Sequence, residues 1–209
     1  MLTTPKPTMG TMLQESLRAP VTKIITPLCR GLLRIGISAN MVTAIGAFAT
    51  ILTALLTFPN GRFFLGTLLI VLFILFDLLD GTLARLSEKG SSSWGALLDS
   101  TLDRLTDAIM LGAVFWYLSS TDDALAPIPL LAAIFGFLVS YVKARAQSLG
   151  IACDGGFAER TERIIILLLT TGFAGLGVPY VMTIGLWFLM AASAFTVLQR
   201  LAIVYKSAE

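Results

Sequence analysis

Apolar residues run through this chain in long blocks, without the short alternating stretches of a soluble sheet. Blocks of about 20 residues, enough to cross a hydrocarbon layer of ~30 Å, recur at roughly 41–58, 63–85, 95–119, 126–147, 161–177 and 180–203. The pattern predicts an all-α integral membrane protein with six transmembrane helices. Ahead of the first block, "PVTKIITPLCRGLLRIGI" sets Ile24, Ile25, Leu28, Leu32 and Ile35 on one helical face and Lys23, Arg30 and Arg34 on another. Such a split suits an amphipathic helix lying in the membrane interface, broken by Pro20 and Pro27; an ordinary connector is the alternative. Residues 1–38 are therefore expected to form a cytoplasmic N-terminus with an interfacial helix, and residues 39–209 one six-helix transmembrane domain. "SAN" at 38–40 supplies N-cap chemistry for the first span, and a helix start there aims free N–H groups at any anion nearby.

Composition agrees with the pattern. The 209 residues are 56% hydrophobic and 13% charged, with a mean hydropathy of +0.85, where soluble domains carry about a quarter charged residues. The distribution of the 15 Lys and Arg residues sets the orientation. With the N-terminus inside, only Arg62 falls on the outer side, so both termini of this multi-pass protein are expected in the cytoplasm. The polar start "MLTTPKPTMGTMLQES" does not have the form of a removable signal peptide. Cys29 and Cys153 both map to the cytoplasmic side and are expected as free thiols. The net charge of +2 averages a basic face with an acidic interior and gives no reason to expect a nucleic-acid partner. Histidine is absent from the chain, which excludes imidazole bases, nucleophiles and metal ligands.

Against this background "FDLLDGTLARLSEKGSSSWGALLDSTLDR", residues 76–104, stands out for four aspartates in spans that otherwise read as membrane. Asp77 and Asp80 are three residues apart and Asp99 and Asp103 four, so each pair shares one helix face. Counted inward from Arg85 and Trp94, both pairs lie roughly 7–14 Å below the cytoplasmic edge at about 1.5 Å per residue. Gly81, Ala84, Gly95 and Ala96 flank these faces and permit close helix approach or a ligand. One aspartate at a span's centre costs about 2.5–3.5 kcal/mol, and four together repel, so positive charge is required among them. Arg85 and Arg104 cannot neutralise four anions. Oxygen donors without Cys or His point to Mg²⁺, Mn²⁺ or Ca²⁺, one or two ions. Asp107, one turn beyond Asp103, reads as a supporting partner or as a polar residue facing the bundle interior.

The spacing Asp77-x2-Asp80-Gly81-x2-Ala84-Arg85-x9-Gly95-x3-Asp99-x3-Asp103 resembles the motif of the CDP-alcohol phosphatidyltransferases at all eight positions. The resemblance covers most of the chain from about residue 20. It implies a metal-dependent membrane enzyme that moves a phosphatidyl group from CDP-diacylglycerol to an alcohol and releases CMP, with two metal ions, Mg²⁺ or alternatively Mn²⁺. By the same resemblance Asp77, Asp80, Asp99 and Asp103 ligate metal and Asp103 also accepts the proton. Gly81 and Ala84 leave space for the nucleotide, Arg85 meets the diphosphate, and Ser92 and the segment Asn40, Met41, Val42, Thr43 border the nucleotide. Ala39 departs from the proline common in the family before that asparagine. A homodimer is implied as well.

The family's acceptors include inositol, inositol phosphate, glycerol phosphate, serine and choline. Lys143, Arg145, Arg160, Arg163 and Arg200 at the cytoplasmic ends of the last spans supply more cation than a neutral acceptor requires. Segments such as "SYVKARAQSLGIACDGGFAERTERIIILL" and "LQRL" are similar to those of family members that use an inositol phosphate. That likeness assigns Lys143, Arg163 and Arg200 to the phosphate of inositol 3-phosphate, the 1-phosphate of the other enantiomer. Glycerol phosphate is the alternative acceptor, and a pairing of Glu159 with Arg163 along one helix face is an alternative use of that arginine. A different class, cation or proton transport, would also place acids in the membrane, but all four aspartates lie near one face and nothing comparable continues toward the other side.

Overall fold

The computed structural model describes Gly31, residues 38–86 and residues 92–208, with 75–86 described by their backbone alone. The expected interfacial helix before residue 38 lies outside the described residues, as does Cys29. Six α helices account for most of the described chain: α1 (Ala39–Thr57), α2 (Phe63–Leu86), α3 (Ser93–Ser120), α4 (Pro127–Ser148), α5 (Arg160–Gly175) and α6 (Val181–Ala208). Each of the six apolar blocks therefore falls on one helix.

Three helical stretches, Ala39–Asn60, Pro127–Ser148 and Val181–Ser207, are long and apolar enough to cross a membrane. In α2 an apolar stretch runs over Phe63–Ile74 within a helix that continues to Leu86, and α3 carries Asp99, Asp103, Arg104 and Asp107. Helix α5 has 16 residues, about 24 Å at 1.5 Å per residue. Phe48, Ile184 and Leu198 are 67, 67 and 65% exposed, apolar surface that suits contact with lipid tails.

The chain divides into two compact units, Met1–Gly46 with Leu75–Asp99, and Ala47–Ile74 with Ser100–Glu209. In the first, Ser38 caps α1: its hydroxyl accepts from the Met41 N–H at 3.3 Å. Ser92 does the same for α3, accepting from the Gly95 N–H at 2.9 Å. The two helix starts lie against each other, since a Cβ on Gly95 would stand 2.7 Å from the Asn40 side-chain oxygen.

The second unit is built around Phe58, Ile70, Met110, Val114, Leu186 and Leu189, all buried. Helix α1 ends in a 3-10 turn, Phe58–Asn60, closed by Gly61 at φ 69°, a left-handed conformation that glycine adopts without a Cβ clash. The ring of Phe63 packs on Phe58 and edge-on against Tyr117, with centroids 5.5 and 4.8 Å apart. Between helices, small residues and hydroxyls set the spacing, as expected where lipid removes most of the hydrophobic drive for association. Gly175 lies against the Phe64 backbone, where a Cβ would overlap it. The Thr67 and Thr171 hydroxyls meet at 2.7 Å. Thr53, Thr171, Ser193 and Thr196 donate back to the carbonyl one turn earlier, which satisfies the hydroxyl within its own helix.

Candidate functional site

The aspartate motif falls on two helices. Asp77, Asp80, Gly81, Ala84 and Arg85 lie in the last three turns of α2, where the backbone alone is described. Gly95, Asp99 and Asp103 lie in the first three turns of α3. Asn40, Met41, Val42 and Thr43 occupy the first turn of α1. Thr43 is buried and its hydroxyl donates to the Ala39 carbonyl at 3.1 Å. Ser92 serves as the α3 cap described above, with its hydroxyl turned to the Gly95 N–H.

Asp103 sits in a cluster of charges within the second unit. Arg160, the first residue of α5, places Nη1 3.0 Å from Asp103 Oδ1 and Nε 3.4 Å from Asp107 Oδ1. Arg163, one turn later, is 3.8 Å from Asp107 Oδ2 and donates to the Ala158 carbonyl at 3.1 Å. Arg104 lies 3.4 Å from Asp103 Oδ2 and donates to the Ser100 carbonyl at 2.8 Å. Three guanidiniums thus meet two carboxylates and leave an excess positive charge. One guanidinium therefore stands on each oxygen of Asp103. Among the described residues, no three carboxylate or thiol side chains converge on one point; two of the four motif aspartates fall outside the described side chains. The donor set itself, carboxylates without imidazole, fits a hard divalent cation.

The cations assigned to an acceptor phosphate line one stripe of α4. The Arg163 guanidinium lies over Gly136, its Nε 3.3 Å from where a Cβ would stand. Arg200 donates to the Val139 carbonyl at 2.7 Å, and Lys143 follows one turn on. These contacts at 136, 139 and 143 span about 10 Å along the helix. Arg163 and Arg200 are 7 and 3% exposed, so charge bias on a membrane surface does not explain them. Each of the three also has an acidic partner: Asp154 for Lys143 at 3.3 Å, Asp107 for Arg163, and Glu159 for Arg200 at 3.1 Å.

Three features differ from the sequence reading. Glu159 pairs with Arg200 and not with Arg163, because it precedes α5 in an extended conformation (φ −72°, ψ −177°) and so does not share a helical face with Arg163. The segment between α4 and α5 is also bonded to α6 at several points. The Phe157 N–H donates to the Gln199 side chain at 2.9 Å, the Ala158 N–H to the Thr196 hydroxyl at 2.9 Å, and Arg200 Nε to the Gly155 carbonyl at 3.1 Å. Gln199 and Thr196 carried no signal in the sequence beyond adjacency to Arg200. The bridging role of Arg160 was missed too; its only trace was the matching of Arg160 and Arg163, three apart, with Asp103 and Asp107, four apart. Cys153 is a buried free thiol.

Comparison with known proteins gives the family. Residues 36–198 match the family model for CDP-alcohol phosphatidyltransferase. This chain belongs to the CDP-alcohol phosphatidyltransferase family. It is 39% identical over 193 residues to the phosphatidylinositol phosphate synthase of Corynebacterium glutamicum, covering 91% of this chain and 88% of that protein. The synthase of Streptomyces avermitilis is 40% identical over 208 residues, with 95 and 85% covered. The crystal structure of Mycobacterium tuberculosis phosphatidylinositol phosphate synthase with CDP-DAG bound superposes with a TM-score of 0.84 at 38% identity, covering 88% of this chain and 95% of that one. The same enzyme in complex with manganese and citrate gives 0.82, with 88 and 90% covered.

Proposed function

We propose that this chain is a phosphatidylinositol phosphate synthase that transfers the phosphatidyl group of CDP-diacylglycerol to inositol 3-phosphate and releases CMP. The observation that carries the reading is the complete eight-position motif on α2 and α3 of a chain 39–40% identical, over most of its length, to proteins named phosphatidylinositol phosphate synthase. The CDP-DAG and manganese complexes of the mycobacterial enzyme support the donor and the metal class.

Asp77, Asp80, Asp99 and Asp103 would hold Mg²⁺, or alternatively Mn²⁺, as two ions whose charge stabilises the diphosphate oxygens and the departing CMP. Arg85 contacts the diphosphate, as a guanidinium fork does well. Gly81 and Ala84 leave room for the nucleotide, and Asn40, Met41, Val42, Thr43 and Ser92 border it. The approach of Gly95 to Asn40 supports that placement of the first turn of α1. Lys143, Arg163 and Arg200 hold the acceptor phosphate. An inositol hydroxyl oxygen attacks the phosphorus that carries the diacylglycerol, the bond from that phosphorus to CMP breaks, and Asp103 takes the hydroxyl proton.

All six helices cross the membrane in this reading, with both termini and the active site on the cytoplasmic side and two copies forming a homodimer. The test is CMP release from CDP-diacylglycerol by the purified chain with and without divalent metal. Metal- and acceptor-dependent release supports the transfer, and its absence points to a transporter. Asp103→Asn that releases CMP at the normal rate would remove Asp103 as the base.

A further inference from the structure

The charge cluster on α3 and α5 contains two groups to which the transfer reaction assigns no part. Asp107 lies one turn beyond Asp103, and Arg160 bridges the two carboxylates at 3.0 and 3.4 Å. We propose that Asp107 and Arg160 form a positioning pair: Asp107 anchors the Arg160 guanidinium, which in turn holds the Asp103 carboxylate in the orientation its reaction needs. The proposal rests on the reading of Asp103 as metal ligand and proton acceptor.

The geometry supports a chain of contacts. Asp107 Oδ2 faces Arg163 at 3.8 Å, and Arg163 is fixed by its bond to the Ala158 carbonyl and by burial. Asp107 therefore starts from a held side chain. On its other oxygen it takes Arg160, whose Nη1 then reaches Asp103 Oδ1. Arg104, tied to the Ser100 carbonyl, meets Asp103 Oδ2 at 3.4 Å, so the carboxylate is gripped at both oxygens and its rotation about the Cβ–Cγ bond is restricted. Asp107 Oδ1 and Arg160 Nε are buried and make no directed hydrogen bond. Their 3.4 Å contact is held by charge, which an amide at 107 would not reproduce. A lysine at 160 keeps the charge but is a point donor, without the planar fork that lets one side chain address two carboxylates.

The test uses the full chain, purified, with Asp107→Asn, Arg160→Lys and the double variant. Partners that orient metal-ligating groups typically contribute about 10–100-fold to activity or metal affinity, so each single variant is expected to lose kcat in that range while KM for CDP-diacylglycerol stays within about twofold. Mn²⁺ binding without substrates, followed by the electron paramagnetic resonance of the free ion, should weaken severalfold in both. Because the two residues act in series, the double variant should lose little beyond the worse single. A purely structural part would lower the melting temperature and leave kcat and Mn²⁺ binding of the folded protein intact, and that result overturns the proposal. So does a double variant whose losses multiply. If Asp107→Asn does not fold, Arg160→Lys decides alone, full kcat being the contrary result. Asp103→Asn in the same series separates the two levels. If it stays active, the base assignment falls and the positioning role with it; if it is inactive while Asp107→Asn runs at full rate, only the positioning role falls.

Discussion

Replacing Arg200 with lysine tests whether this buried arginine holds the α4–α5 segment as well as the acceptor. Its three protein bonds diverge, Nε to the Gly155 carbonyl, Nη1 to the Val139 carbonyl and Nη2 to Glu159. One ammonium cannot reach all three, so at least one acceptor loses its donor. Leaving a buried polar group unsatisfied costs about 1–3 kcal/mol. The Glu159 side chain is 45% exposed and can turn to water, so its share is discounted. Gly155 is exposed as well, and Val139 O lies within α4 and keeps its helical partner, which puts the total at about 1–2 kcal/mol. For a domain of this size that corresponds to roughly 2–8 °C in Tm. Thermal unfolding in detergent gives the stability change, and KM for the acceptor gives the functional one. Both should shift, with KM for CDP-diacylglycerol nearly unchanged, since Arg200 keeps a second N–H on each Nη for an acceptor phosphate. An unchanged Tm together with a raised acceptor KM would refute the clamp and leave Arg200 as a ligand contact only.

Three further outcomes follow from the packing and the motif. Gly175→Ala sets a methyl against the Phe64 backbone and should destabilise by about 1–3 kcal/mol or more, as overpacking does, read by the same melts. Thr171→Val removes the bond to Thr67 and should cost only about 0.6 kcal/mol, the average for interhelical hydrogen bonds within membranes; a loss of several kcal/mol would show that the hydroxyl pair does more than link α2 to α5. Chelation with EDTA should abolish CMP release and Mg²⁺ or Mn²⁺ restore it, while Asp99→Asn should lower the restored rate by about 100-fold or more, in line with two-metal chemistry.

The number and extent of the helices were legible because membrane-scale apolar blocks leave little choice of element. The Ser38 cap and the placement of the aspartate motif near the end of α2 and the start of α3 followed for the same reason: spacing along one helix determines which side chains share a face. What spacing cannot give is the partner across the gap. Arg160 was one cation among several until α5 brought it between Asp103 and Asp107. Glu159 sat four residues from Arg163, the distance of a helical pair, but the helix starts after it and its carboxylate turns to Arg200. The bonds from the α4–α5 segment to Thr196 and Gln199 join residues about 40 apart, beyond any local pattern.

The central claim is that this transferase serves an inositol phosphate. The most direct measurement supplies labelled CDP-diacylglycerol and divalent metal to the purified chain with inositol, inositol 3-phosphate or glycerol phosphate in separate reactions, and identifies the lipid formed. Rapid CMP release with phosphatidylinositol phosphate as product, only in the inositol 3-phosphate reaction, is the predicted result. Turnover with glycerol phosphate alone would contradict it.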